Sequence, residues 1–462
     1  MTRQLIVTGV VLVGLGSVAH SQPLVDLTQV APAGTPGSLW VSTFDPTDAT
    51  APISVVEGRG WKVGEGTVIH PVVGLATGYD SNVFFQNTDV QGAGVMRVIA
   101  QASIASLSFQ RLHPGIDPMA AGMGEAQPKK EQDEGDFQYW ASARVSYDQL
   151  ISGDHTVNSA GGTGVGVYAR GLVNPNGNYQ ALIDDNFERE IRAASYETTS
   201  NENRDLNVAR VALWYQPHDH AVSGYLYYNN TIDVFENNAN IYPDRMFNRV
   251  GIHPIWLRLP QTKLFADVSI ASITGIGSDA ASQAKATSYP LDAKIGISSL
   301  LSLRSTIFAT VGYTNGFYAR GPSFSAVDVD TMFAFRYSPL GRIGVGYTLT
   351  YQDSVNANFY RDHIIRGFLM HDVAPVVLMV APELHFREYQ GLNVVGNSAT
   401  RDDTIFGVVA GVHYAYRYWL GIVLDYRLSL VDTAFRYMDG MGDTINPGYV
   451  NHEVMLGVRA AM

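Results

Sequence analysis

From Thr67 to the end of the chain, apolar and polar residues alternate one by one. Ile343, Val345, Tyr347, Leu349 and Tyr351 alternate with Gly344, Gly346, Thr348, Thr350 and Gln352. Leu420, Ile422, Leu424, Tyr426, Leu428 and Leu430 alternate with Gly421, Val423, Asp425, Arg427 and Ser429. Phe406, Val408, Ala410, Val412, Tyr414 and Tyr416 alternate with a face containing Gly411, His413 and Arg417. A period of two puts successive side chains on opposite faces of a strand. These runs last about 10 residues, longer than the 5 to 6 of soluble strands and enough to cross a bilayer at a tilt. The pattern predicts 18 strands, starting near Thr67, Val95, Phe137, Ser159, Tyr179, Asn207, Ala221, Phe247, Lys263, Pro290, Ser305, Val327, Arg342, Arg361, Val376, Asp403, Trp419 and Tyr449.

The connections alternate as well. Tight turns are expected at Pro175-Asn176-Gly177, His218-Asp219-His220, Gln261-Thr262, Pro339-Leu340-Gly341 and near Tyr418. Longer loops fall near Ala194–Asp205, Asn237–Met246, Ser278–Tyr289, Gly391–Asp402 and Asp439–Pro447. Short turns on the periplasmic side and long loops outside are the asymmetry of outer-membrane barrels. The segment Arg111–Asp136, with Lys129-Lys130 followed by acids, breaks the rule and reads as a flexible periplasmic insertion. The final strand alternates through Val454, Leu456, Val458, Ala460 and Met462, similar to chains inserted by the barrel assembly machinery, which usually end in Phe or Trp.

Composition agrees. Charged residues make up 16% of the 462, against about 25% in soluble domains. There are 25 Tyr, 45 Gly and no Cys, a mixture that suits aromatic girdles and a chain crossing an oxidising periplasm. Met1-Thr2-Arg3-Gln4, then apolar Leu5–Val18, then Ala19-His20-Ser21, reads as a cleavable signal peptide over residues 1–21. Residues 22–64, rich in Pro, Thr, Ser, Gly and Asp, read as a periplasmic N-terminal extension or plug. Residues 65–462 then form an all-β, transmembrane, antiparallel up-and-down β-barrel of about 18 strands in the bacterial outer membrane.

The first strand ends in Gly78-Tyr79-Asp80-Ser81-Asn82-Val83-Phe84. This turn, with Tyr79, Asp80, Asn82 and Phe84, resembles a signature of the β-barrel porin 2 family. The order of a short leader and a long antiparallel barrel is similar too, and the Arg111–Asp136 insertion departs from that family's compact pattern. The resemblance implies an outer-membrane conduit, since some members lie beside polysaccharide-export systems.

Alternation also assigns an inward face. It gathers Arg97, Arg144, Asp184, Glu188, Arg192 and Arg210 from the first half of the chain. From the second half come Asp292, Lys294, Asp328, Asp330, Arg336, Glu383, Arg387, Asp425 and Arg427 as candidate pore-lining residues. Asp148, Asp267, His385, Glu453 and Arg459 share that face. Neither sign dominates. A mixed lumen suits a polar, weakly selected solute, and it equally suits charges that pair and hold the barrel's shape. Inward Trp140, Trp214, Tyr225 and Tyr227 could stack on sugar rings or fill space.

Other chemistry has little support. His218-Asp219-His220 lacks a third ligand, so it reads as a solvated turn and no metal or other cofactor is expected. Gly162, Gly164 and Gly166 have no Gly-Lys-Ser/Thr after them and suit close approach of a strand or loop. Gly153-Asp154-His155-Thr156 is the nearest thing to a catalytic set. An acidic chain without a basic stripe is no partner for nucleic acid. The expected partners are outer-membrane lipid and lipopolysaccharide, the assembly machinery during insertion, and periplasmic export or envelope-complex proteins. The reading is a porin-like passage for polysaccharide or another polar solute. The alternatives are a structural barrel of an adhesion- or gliding-type assembly and, behind it, a barrel-borne hydrolase.

Overall fold

The computed structural model describes residues 60–64, 66–106, 136–175, 177–192, 196–197, 203–217, 221–236, 242–259, 262–394, 396–438 and 444–462. The expected signal peptide, nearly all of the expected 22–64 extension and, but for Asp136, the Arg111–Asp136 insertion lie outside the described residues, as does His218-Asp219-His220.

The barrel begins with β1 (Thr67–Asp80), β2 (Ala93–Ser106), β3 (Phe137–Ile151), β4 (Gly162–Val173), β5 (Tyr179–Glu190) and β6 (Arg204–Tyr215). It continues through β7 (Val222–Phe235), β8 (Arg245–Leu259), β9 (Thr262–Gly275), β10 (Leu291–Ser302), β11 (Ser305–Gly316) and β12 (Phe324–Ser338). It ends with β13 (Gly341–Asp353), β14 (Ala357–Val373), β15 (Val376–Leu392), β16 (Thr400–Arg417), β17 (Leu420–Thr433) and β18 (Tyr449–Ala461). Each start lies within four residues of the one expected from alternation.

Every strand pairs antiparallel with the next, and β18 returns to β1 over Val72↔Ala461 to Asp80↔Glu453. The ring is therefore a closed 18-stranded barrel with no free edge, which satisfies every ladder within the membrane. The described residues before β1 join the same sheet. Trp61–Val63 forms a short strand against Thr67–Ile69, and Gly60 donates its N–H to the carbonyl of Met462 at 3.0 Å. Among the described residues this short strand extends the seam past the end of β18.

The two faces of each strand differ as a membrane requires. Val73, Leu75, Val345, Leu424, Leu456 and Val458 point outward and are exposed. Exposed Phe137, Tyr179, Tyr215, Tyr337 and Trp419 girdle the end carrying Gly60 and Met462, and Tyr79, Tyr147 and Tyr313 girdle the other. Buried charged side chains such as Arg97, Asp148, Arg210 and Asp267 lie on the opposite face. An apolar band between aromatic girdles on a closed antiparallel ring places the chain in the bacterial outer membrane.

At the extracellular end, α1 (His155–Ser159) and α2 (Ala280–Ala284) sit in the connections β3–β4 and β9–β10. Tyr437–Met438 pairs with Thr444–Ile445 in the last loop.

Candidate solute pathway

Most of the charged residues expected on the inward face are tied to one another. The β2–β3 register sets Arg97 opposite Asp148, and the guanidinium donates to both carboxylate oxygens at 2.7 and 2.8 Å. Its Nη2 also reaches Glu453 at 3.3 Å across the seam. Arg144 is fully buried, 3.5 Å from Gln101. Asp184 lies 3.5 Å from Arg170 and 4.0 Å from Arg210, and Arg210 donates to Asn229 at 3.2 Å. Glu188 accepts from Asn186 at 2.7 Å.

On the facing wall, Lys294 pairs with Asp328, and Asp292 accepts from Thr314 at 2.6 Å with Arg249 at 3.4 Å. Asp330 accepts from Thr348 and Arg366, each at 2.7 Å. Arg387 donates to Asp362 at 2.9 and 2.7 Å. Asp425 lies 2.9 Å from His413. Among the described residues Arg336 and Arg427 make no ion pair; both are half-buried. Arg192 is a partial correction. The strand stops at Glu190, and Arg192 sits in the following turn at φ 54°, where it pairs with Asp80 and approaches Asp148 at 3.7 Å.

That turn opens the connection between β5 and β6, expected as an outer loop near Ala194–Asp205. It does leave from the extracellular end, but its described residues fold into the barrel. Tyr196, 4% exposed, packs with Phe85, Ile405, Val431 and Tyr449. Its hydroxyl donates to Glu383 at 2.7 Å, and its ring meets His385 edge-on at 5.5 Å. Glu383 lies on β15, nine strands from β6 and so halfway round the ring. Glu197 is bonded by Ser354 of the β13–β14 turn. Burial, then Glu383, pushes the Tyr196 phenol well above its ordinary range, and burial raises the Glu197 carboxyl. Gly162 leaves room at the root of the loop, where a Cβ would sit 3.3 Å from Ile191. This agrees with close approach of a loop to the glycine strand.

A second group ties the extracellular mouth. Asp233 accepts from Arg204 at 2.6 and 3.1 Å and also from Arg245. Arg245 reaches Asp353, five strands away, at 3.0 Å. Lys285, just beyond α2, pairs with Asp353 at 2.9 Å and donates to the Ser354 carbonyl at 2.7 Å. Burial lowers the Lys285 pKa. The Ser278–Tyr289 loop, expected to point outward, thus contributes a buried cation to the mouth.

The seven-residue motif has a structural task. Asn82, fully buried, donates to the carbonyls of Gln86 at 2.7 Å and Val450 at 3.0 Å and accepts from the Gln86 N–H at 3.0 Å. It closes its own turn and fastens it to β18 at the seam. Asp80 holds Arg192 at the root of the inward loop. Phe84 packs beside Val83, Ala93, Val95 and Leu150, and Tyr79 joins the outer girdle.

Toward the periplasmic side, the inward aromatics form an arc on the wall. Trp214 and Tyr225 are 4.0 Å apart, Tyr225 stacks on His253 at 4.7 Å, and His253 stacks on Phe265 at 5.2 Å. Phe265 reaches Phe308 at 5.8 Å across β10, where Gly296 leaves the space; a Cβ there would be 2.3 Å from the Phe265 ring. Trp140 packs on Tyr168 at 4.6 Å, and Tyr227 donates to Asp267 at 3.0 Å. Gly153-Asp154-His155-Thr156 is a helix start: Asp154 caps α1 by accepting from the Thr156 N–H at 2.7 Å. Among the described residues no group of three or more His, Asp or Glu is placed to hold a metal ion.

Sequence reasoning did not name Tyr196, Glu197, Lys285, Asp233, Asp353 or Asp362 as site residues. Asp233 and Asp353 lie at strand ends, where alternation stops being informative. The loop residues carry no periodic signal.

No family model matches the chain, and no curated protein matches it. The kinship to the β-barrel porin 2 family thus remains a likeness of the motif and of overall order. Solved structures do match. OccK2 (OpdF) of Pseudomonas aeruginosa, in complex with glucuronate, is 10% identical over 85% of this chain and 98% of that one, with a TM-score of 0.46. A BenF-like porin from Pseudomonas fluorescens Pf-5 is 10% identical over 85% and 99%, at a TM-score of 0.45. The siderophore receptor PirA from Pseudomonas aeruginosa is 7% identical over 85% and 80%, at 0.39. Nothing about this chain's solute follows from those names. The chain's own closed ring and apolar exterior make it an outer-membrane barrel of porin-like architecture.

Proposed function

We propose that the barrel is a passage for polar solutes, narrowed from the extracellular side by the loop between β5 and β6. The observation that carries this is the reach of Tyr196 across the lumen to Glu383 on β15. A barrel of about 18 strands is wide enough for an aqueous channel. A loop pinned halfway round the ring turns such a channel into a constriction. The wall offers paired charges of both signs, so a polar solute meets donors and acceptors without a strong net field. Polysaccharide export is the finer reading, supported by the motif, whose Asp80 seats the loop.

The structural-assembly reading has one observation in its favour: the Arg245–Asp353 pair ties the mouth across five strands. Liposome swelling separates the two. Vesicles holding the purified barrel should swell in isotonic neutral sugars at rates that fall with sugar size. No swelling in any sugar would favour the structural reading. For the finer reading, deleting the gene in the native cell should abolish a surface polysaccharide; an unchanged surface would remove it.

A further inference from the structure

The inward arginine of the last strand stands apart from the paired lumen. Arg459 is 6% exposed and makes no ion pair among the described residues. Its Nε has no partner, and its Nη1 makes only 3.4 Å contacts to the carbonyls of Leu75 and Val458. Arg336 and Arg427 also lack ion pairs, but they are half-buried and water can carry their charge. A buried guanidinium without a carboxylate is costly.

The wall around it is hollowed. Both register partners of Arg459 are glycines, Gly421 on β17 and Gly74 on β1. The side chain lies flat over this floor: a Cβ on Gly74 would be 2.6 Å from Arg459 Cδ, and one on Gly457 would be 2.5 Å from its Nη1. Arg97 and Arg144 both act on it as like charges. Asp425 acts as the nearby acid, but that carboxylate lies against His413 at 2.9 Å.

We propose that Arg459 on its glycine floor, with Arg97 and Arg144 beside it, is a lumen subsite for a carboxylate-bearing solute such as a uronic acid. The fork of a guanidinium matches a carboxylate in a two-bond geometry, and the glycine floor lets this side chain lie flat along the wall with its fork unpaired. The inference rests on the passage reading and gives it a solute class: acidic saccharides, held near the periplasmic end of the lumen.

The test is calorimetric titration of the purified full chain, folded in detergent micelles, with galacturonate and with galactose. Binding in the tube does not require conduction, so a barrel that binds but never conducts separates this subsite from the passage. Galacturonate should bind and galactose should not. Arg459→Gln should weaken galacturonate binding about tenfold or more, a change of ~1.4 kcal/mol. Arg459→Lys should recover part of it, and Arg304→Gln, in the exposed turn between β10 and β11, should leave it unchanged. Heat-modifiable mobility on gels confirms that each variant is folded. Equal binding of the two sugars, no binding of either, or a galacturonate affinity unmoved by Arg459→Gln would overturn the proposal.

Discussion

Asp233 is the sharpest place to perturb the mouth. Its side chain is 0% exposed, as is that of Arg245, and Arg204 is at 2%. Asp233→Asn keeps the shape and removes the charge. Arg204 then loses its bidentate carboxylate, and Arg245 and Lys285 must share Asp353. Breaking a buried pair by removing one partner costs about 3 to 5 kcal/mol. Because Asp353 remains, about 3 kcal/mol is the expected loss, more than a hundredfold in the folding constant. Equilibrium urea unfolding of the barrel in lipid vesicles, followed by tryptophan fluorescence, reads it. The combined change Arg204→Met, Asp233→Leu and Arg245→Met removes the charges together and should cost less than Asp233→Asn alone. A loss under about 1 kcal/mol for Asp233→Asn, or a worse combined variant, would refute the claim that this network is desolvated and mutually dependent.

Three further outcomes are expected. Leu424, 42% exposed and paired with outward Val412 and Leu456, should as Leu424→Arg cost about 2 to 4 kcal/mol in vesicle folding, while lumen-facing Thr348→Arg is tolerated; equal costs would contradict the two-faced wall. Asn82→Ala should cost about 2 kcal/mol, since it leaves the Gln86 N–H and the Val450 carbonyl at the seam without partners, and an unchanged unfolding midpoint would contradict it. The Glu197 carboxyl is raised by burial, so the seated loop favours its protonated form; seating weakens as pH rises from the ordinary carboxylate range through the raised value, and conductance should climb over that window in the wild type but not in Glu197→Gln.

The barrel was legible because a membrane wall imposes one rule on every strand. Lipid outside and charge inside make period two visible from Thr67 to Met462, and the strand starts follow directly. Pairing was less legible. Arg97 and Asp148 are both assigned inward by alternation, but their contact depends on a register set across the 107–136 connection. The inward loop was not legible, because Tyr196 and Glu197 obey no periodicity and their partners lie on strands far along the chain. The motif was visible as a string, yet its role at the seam appears only when Asn82 is seen bonded to β18.

The central claim, a passage narrowed by a loop pinned across the lumen, is tested most directly by single-channel recording in planar bilayers. Wild-type barrel is compared with the double variant Tyr196→Ala, Glu197→Ala. The account predicts a small, weakly selective conductance for the wild type and a larger one when the loop loses its hold on Glu383 and Ser354. A barrel that inserts and remains silent in both forms would contradict it.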